Sequence, residues 1–446
     1  MHATLHPLRR TRPFLLAGLL CLASAAQAVE PPCPIGAYRL ADRSTLDIAP
    51  SEGKTLRWRH QDGRSGALTE GPDGRWTSTL GWTGRPDGHV LRFPACGQGR
   101  LEFDGQAATR LELPSQDSRF EGDGGTPLAG RLVLPPGSQP VPIVVLLHGA
   151  ERDGALELNS LQRRLPALGI GAFVYDKRGT GASGGKYTQD FPLLARDAVA
   201  ALREARRLAG PRAGRIGYQG PSQGGWVAPI AAHLAPVDFV IVGFGLAVSV
   251  LEEDRSAVVM NLEAKGHGRA AIAQGLALSD AAGELVQNPT PEQFERFAAL
   301  REKFRPEPWF KHAHGNFLFM LMNISAAEFE AAKSMLEMGT PWRYDPMPTI
   351  TALNTPQLWM LAQDDVDAPS ADTARLLEGL RTQGRPVSVA MFPKTEHGVY
   401  EYETAPDGRR LSTRHPAGYL DMMADFARGG PLKPRYGAVS PSRPLR

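Results

Sequence analysis

The run PIVVLLHG, residues 142–149, is apolar at every position through Leu147. A strand without polar alternation is buried on both faces, which happens in sheets covered by helices on each side. The segments after it keep that texture. IGAFVYDKRGTGASGG reads as a second strand running into a Gly-rich loop. LLARDAVAALREARRL has helical apolar spacing, GRIGYQG is a strand, GGWVAPIAAHL a helix and DFVIVGFG another strand. Strands alternating with helices predict an α/β fold built on a mostly parallel sheet with helices on both faces, beginning at residues 117–247.

The alternation stops at about residue 248. Residues 248–348 read as helices, among them RAAIAQGLALSDAAGELV, PEQFERFAALREKF and AAEFEAAKSMLEMG. The sheet resumes with TPQLWMLAQDD and VSVAMFPKTEHG, and the helix AGYLDMMADFA closes it, so 349–428 completes the same domain. The stretch 248–348 is thus a helical cap insertion. The tail 429–446 is Pro- and Arg-rich and is expected to be disordered.

Residues 29–116 have a different character. Short alternating runs are separated by Asp62-Gly63, Asp73-Gly74, Asp87-Gly88 and Asp104-Gly105. Asp-Gly between strand-like runs is a hairpin signal, which predicts a small all-β domain. It could bind a ligand such as a glycan, or brace its neighbour. Trp58, Trp76 and Trp82 are expected in its core.

Residues 1–28 have the form of a signal peptide. Arg9, Arg10 and Arg12 precede the apolar run Phe14–Ala26, and Ala26-Gln27-Ala28 offers a small-x-small cleavage point after Ala28. The run is short for a permanent membrane anchor. The residues before Cys21 do not form a lipobox. Export to the periplasm or outside the cell is the expectation. The formal net charge is +3, and the leader holds three arginines and no acid, so the mature chain would be neutral. Nothing in that balance favours nucleic acid as a partner. Cys33 and Cys96 survive cleavage, and an oxidising compartment favours a disulfide between them over two buried thiols.

Gly220-Pro221-Ser222-Gln223-Gly224 is a G-x-S-x-G between a strand and a helix. A serine hydroxyl is a poor nucleophile unless a base, an orienting acid and oxyanion donors surround it. In this context Ser222 is the candidate nucleophile, and the Gln223 N–H one oxyanion donor. Pro221 has no N–H to offer. The second donor should come from the loop after the earlier strand, where Ala150 or Glu151 could supply it. His148 reads as a packed structural residue. The base should follow the last strand, where His397 stands, while the other histidines of the mature chain lie elsewhere. The acid should follow the preceding strand, which offers Asp364, Asp365 and Asp367.

The order Ser…Asp…His, with LLHGAE, YDKRGTGAS, GPSQGG, AQDDVDAP and EHG in sequence, resembles the α/β-hydrolase superfamily from about Gly122 to Arg428. Within it the chain is similar to exported bacterial serine-aminopeptidase-like and dienelactone-hydrolase-like hydrolases. The resemblance implies Asp365 as the acid, since a Pro stands four residues later. Ala362 replaces the usual Gly three residues before it, which keeps Asp364 in reserve. It makes Asp176, Arg178 and Gly179 structural. The implied activity is hydrolysis of a small acyl ester or thioester through an acyl-enzyme, with short peptides as the alternative substrates. Acyl transfer or a silent binding role stand further off. No metal or cofactor is called for, and no stable membrane anchor. Specificity should lie in the cap, where NFLFMLMN (residues 316–323) is either an adaptable acyl lining or the cap's own core.

Overall fold

The computed structural model describes residues 33–51, 55–336 and 338–444, excepting the side chains at 95, 96 and 334–336. The expected leader, its cleavage point after Ala28 and the side chain of Cys96 lie outside the described residues.

The first part is a closed antiparallel barrel of eight strands. They are β1 (Gly36–Arg39), β2 (Thr45–Pro50), β3 (Leu56–His60), β4 (Ser65–Glu70), β5 (Arg75–Thr79), β6 (Pro86–Ala95), β7 (Arg100–Phe103) and β8 (Gln106–Arg110). Closure of β8 onto β1 removes the open edges that a small sheet would otherwise expose. Gly63, Gly74 and Gly105 take left-handed φ between consecutive strands, as their Asp-Gly pairs suggested. The fourth pair behaves differently. Asp87 and Gly88 lie within β6, where the Asp87 carboxylate accepts from Ser78 Oγ at 2.9 Å beside a register shift. Trp58, 1% exposed, fills the barrel core with Leu46, Ile48 and Leu91. Trp76 is half-buried at its margin. Trp82 is not core: its ring meets Tyr400 of the following domain at 4.7 Å.

The second part is an eight-stranded sheet. Its strands are β9 (Ser115–Glu121), β10 (Pro127–Val133), β11 (Val141–Leu146), β12 (Gly171–Tyr175), β13 (Ala213–Pro221), β14 (Phe239–Gly243), β15 (Gln357–Ala362) and β16 (Val387–Phe392). Their spatial order is β16-β15-β14-β13-β11-β12-β10-β9. Both pairings of β10 are antiparallel, and the rest of the sheet is parallel. The PIVVLLHG run forms β11 at the centre. Ile143, Val145 and Leu147 enter one core with the helices Phe191–Ala209 and Gly224–Leu234. Val144 and Leu146 enter the other, with the helix Tyr419–Arg428. Period-two alternation between two covered faces explains why the run needs no polar residue.

Between β14 and β15, among the described residues, the chain runs through six α-helices, from Val250–Ala264 to Met347–Ala352, and a short 3-10 helix, Phe310–His312. Ile350 of the last α-helix joins the core of the sheet, while the helices before Met347–Ala352 enclose their own core around Leu285, Phe297, Trp309 and Phe317. Within NFLFMLMN, Phe317, Leu318, Leu321 and Met322 join that core, while Phe319 (56%) and Met320 (60%) stand exposed. Buried Asp254 anchors the segment by accepting the N–H groups of Phe317 and Leu318 at 2.9 and 3.1 Å.

Two features depart from expectation. A three-stranded sheet, β17 (Thr395–Glu396), β18 (Tyr400–Thr404) and β19 (Arg410–Arg414), follows β16. The barrel docks on it: Trp82 N–H donates to Ser412 O at 2.8 Å and His415 N–H to Gly63 O at 3.1 Å. The tail expected to be disordered is instead held against the domain as far as Ser442. Leu432, Tyr436 and Val439 are buried in the second core, and Ser442 pairs with Val389 of the edge strand β16. Covering a sheet edge gives the segment its partner, despite its composition.

Candidate active site

Ser222 follows the last residue of β13, and a helix begins at Gly224. Its φ is +47°, a left-handed conformation costing a non-glycine residue roughly 1–3 kcal/mol. The neighbours leave no room for side chains: a Cβ on Gly220 would collide with the Gly224 carbonyl, and one on Gly224 would lie 2.9 Å from His148 O. The Ser222 N–H is used by Gly243 O at 2.9 Å, so the turn is fastened to β14.

His397 lies between β17 and β18, and its Nε2 is 3.2 Å from Ser222 Oγ. Its Nδ1 is 2.9 Å from Asp365 Oδ2 and 3.2 Å from Oδ1. The Phe244 ring meets the imidazole edge-on at 4.9 Å. Burial pushes His397 down, but the hydrogen bond and charge of Asp365, aided by Asp367 and Glu253, outweigh it and hold the imidazole above its usual range. Asp365 is 1% exposed and accepts the N–H groups of Asp367 and Ala368 at 3.1 and 2.8 Å. Asp364 points away and accepts from the Tyr402 hydroxyl at 3.0 Å. The Asp367 carbonyl is tied to the cap by Asn316 Nδ2 at 2.5 Å. Of the three aspartates, only Asp365 meets the histidine.

The loop after β11 lies against this turn. A Cβ on Gly149 would sit 3.5 Å from both Ser222 Cβ and Pro221 O. Among the described residues, the N–H groups of Ala150 and Gln223 have no hydrogen-bond acceptor, and the Glu151 N–H meets only its own carboxylate. The Glu151 carboxylate instead turns back to accept the Gly149 N–H at 3.1 Å, 3.3 Å from His148 Nδ1. Burial would raise Glu151, but the hydrogen bond and charge of His148, with the charge of Lys177, bring it down to about 2. His148 is buried with Nε2 2.7 Å from Tyr175 O, a packed residue as its position implied. Arg178 makes two 2.6 Å bonds to buried Asp197, and Asp176 accepts from Leu156 and Ala182, so this segment braces the loop.

Two groups near the site were not singled out by sequence. Glu253, on the first cap helix, is pushed up to about 8 by burial, against the charge of His397 and with that of Asp365, Asp254 and Asp367. Among the described residues its carboxyl has no hydrogen bond or ion pair. Its only sequence signal is its place beside Glu252, which completes the capping box with Ser249. Lys177, within the Gly-rich loop, is buried beneath Gly149.

The sheet order, with the serine turn after the strand next to β11 and a helical cap before the last two strands, defines an α/β fold of the hydrolase type joined to an antiparallel barrel. Similar solved structures include esterases, an α/β hydrolase from Penicillium and a peptidase. A Pyrococcus furiosus esterase is 13% identical, over 64% of this chain and 83% of that one, with a TM-score of 0.41. An esterase from Exiguobacterium antarcticum is 17% identical, over 64% and 93%, at 0.37. Acylaminoacyl peptidase of Pyrococcus horikoshii is 14% identical, over 79% of this chain and 52% of its own, at 0.40. No protein-family model and no curated protein sequence matches the chain.

Proposed function

We propose that the chain is an exported serine hydrolase that cleaves an ester or thioester through Ser222, His397 and Asp365. The observation that carries this reading is the unbroken line of polar contacts from Ser222 Oγ through both imidazole nitrogens to a buried carboxylate. His397 Nε2 takes the hydroxyl proton as Ser222 Oγ bonds to the acyl carbon. Asp365 orients the ring and stabilises the imidazolium. The N–H groups of Gln223 and of Ala150 or Glu151 meet the developing oxyanion. His397 returns the proton to the leaving group, and the same steps with water release the acid and restore Ser222.

The barrel, in this reading, is a brace. It bonds to the β17–β19 sheet, whose first turn carries His397. Export through residues 1–28, with cleavage after Ala28, and a Cys33–Cys96 bond complete the proposal. Residue 33 lies at the entry to β1, and residue 96 opens the turn between β6 and β7.

The test is a panel of p-nitrophenyl esters, thioesters and peptide p-nitroanilides on the mature protein. Turnover of the acyl esters is expected, lost by ~10⁴-fold or more in Ser222→Ala. Preference for the anilides would make the enzyme a peptidase. Turnover retained by Ser222→Ala would sink the mechanism.

A further inference from the structure

The loop after β11 is held by two consecutive carbonyls. Lys177 Nζ donates to Gly149 O at 2.6 Å, and the Tyr187 hydroxyl donates to Ala150 O at 2.5 Å. The Lys177 ammonium also lies over the Tyr187 ring, 4.8 Å from its centroid. The two donors are therefore one cluster, and they reach the loop from one side. In a trans peptide each N–H points opposite the carbonyl of the preceding residue. With the Gly149 and Ala150 carbonyls drawn toward Lys177 and Tyr187, the N–H groups of Ala150 and Glu151 turn the other way. The Ala150 N–H has no acceptor among the described residues, the Glu151 N–H meets only its own carboxylate, and Gly149 sets this part of the loop against Ser222.

We propose that Lys177 and Tyr187 are positioning residues, a two-point clamp that aims the Ala150 and Glu151 N–H groups at the oxygen of a carbonyl bound at Ser222. The clamp rests on the serine-hydrolase reading and adds to it the part that holds the oxyanion site ready. A cation suits the task better than a neutral donor. A charge-assisted bond to a carbonyl is about twice as strong as a neutral one, and it polarises the peptide so that its N–H donates more strongly. The lysine is 2% exposed, a position where an ammonium is costly unless it is hydrogen-bonded, as it is here to the Gly149 carbonyl. Burial lowers it to about 8, against the charge of Glu151 and with that of Arg152, so it still carries its proton near neutrality.

The clamp is also fixed from the cap side. Thr188 Oγ1 and Gln189 N–H both donate to Met338 O, at 2.7 and 2.8 Å. The Arg152 guanidinium stacks over the Tyr187 ring at 4.0 Å and reaches Met338 Sδ at 3.0 Å. The far end of the cap insertion thereby holds the residue that holds the Ala150 carbonyl.

The experiment compares wild type with Lys177→Met, Lys177→Arg and Tyr187→Phe. It reads kcat and KM on a p-nitrophenyl ester, affinity for an aryl boronic acid, and labelling by a fluorophosphonate. Lys177→Met is expected to lower kcat by about 10²-fold, the scale of losing one oxyanion donor, with KM within about twofold. Boronate affinity should fall by the same factor as kcat, and Lys177→Arg should restore part of both. Tyr187→Phe should lower both by about tenfold or less, on the same scale. Tyr187 is only half-buried, so that variant keeps the fold even if Lys177→Met does not. A labelled wild type together with unchanged kcat and boronate affinity in Tyr187→Phe, or in a folded Lys177→Met, overturns the clamp alone. A wild type that takes no label overturns the hydrolase reading and the clamp with it.

Discussion

Ser222 Oγ and His397 Nε2 lie 3.2 Å apart across 175 residues of sequence. The contact joins the end of a central strand to a turn that the barrel supports from outside. Neither residue reaches the other through local structure, so the sheet order is what makes the pair. That dependence sets what should change when single groups are altered.

Asp365→Asn should lower kcat by ~10⁴-fold, since the amide cannot hold the histidine in its working tautomer. It should also change the pH profile. A histidine can act as a base only when neutral, and Asp365 holds His397 above the usual imidazole value of 6.5. Wild-type activity should therefore fall, as pH drops, through a value above 6.5. Without the carboxylate, burial prevails and the residual activity should titrate lower. A pH–rate profile of both proteins checks this; an unmoved acid limb would contradict it.

Asp364→Asn should behave differently despite being the adjacent residue. It weakens the bond from Tyr402 and costs roughly 1 kcal/mol of stability. Its kcat should stay within a few-fold of wild type. A collapse of kcat in this variant would move the acid to Asp364.

Glu253 links stability to alkaline pH. A carboxyl held up to about 8 in the fold stays protonated after the unfolded chain has ionised at about 4.5. Stability from this group is full below the lower value and is lost as pH rises through the upper one. Glu253→Gln removes that dependence. Thermal melts should show the variant equal to wild type near pH 4 and more stable near pH 9. The reverse order at pH 9 would place a compensating cation beside the carboxyl.

Ending the chain at Gly430 should cost stability. It uncovers the site of Leu432, Tyr436 and Val439 and frees the β16 edge that Ser442 covers. At ~1.5–3 kcal/mol for each buried side chain, several kcal/mol should disappear in denaturant titration. An unchanged midpoint would mean the tail does not hold the sheet.

The sequence made the serine turn and His397 legible because both sit at strand ends in a periodic α/β pattern. Asp365 needed more, since three aspartates share one loop and only the fold turns one of them inward. The β17–β19 sheet was hidden in a polar run, YEYET and RLSTR, whose partner is the barrel and not a core. The tail was hidden for a related reason: its three anchors are spaced among prolines and arginines and match no period. Asp87-Gly88 carries the same letters as three real turns but lies within a strand. Lys177 sat inside a stretch read as a glycine-rich loop. Its task emerges only when the Gly149 carbonyl is placed above it.

The most direct measurement is intact-mass and peptide mapping of the mature protein after treatment with a fluorophosphonate. One adduct per chain is expected, on Ser222, absent in Ser222→Ala and slowed in Asp365→Asn. Labelling elsewhere, or none in an active preparation, would contradict a serine nucleophile held by His397.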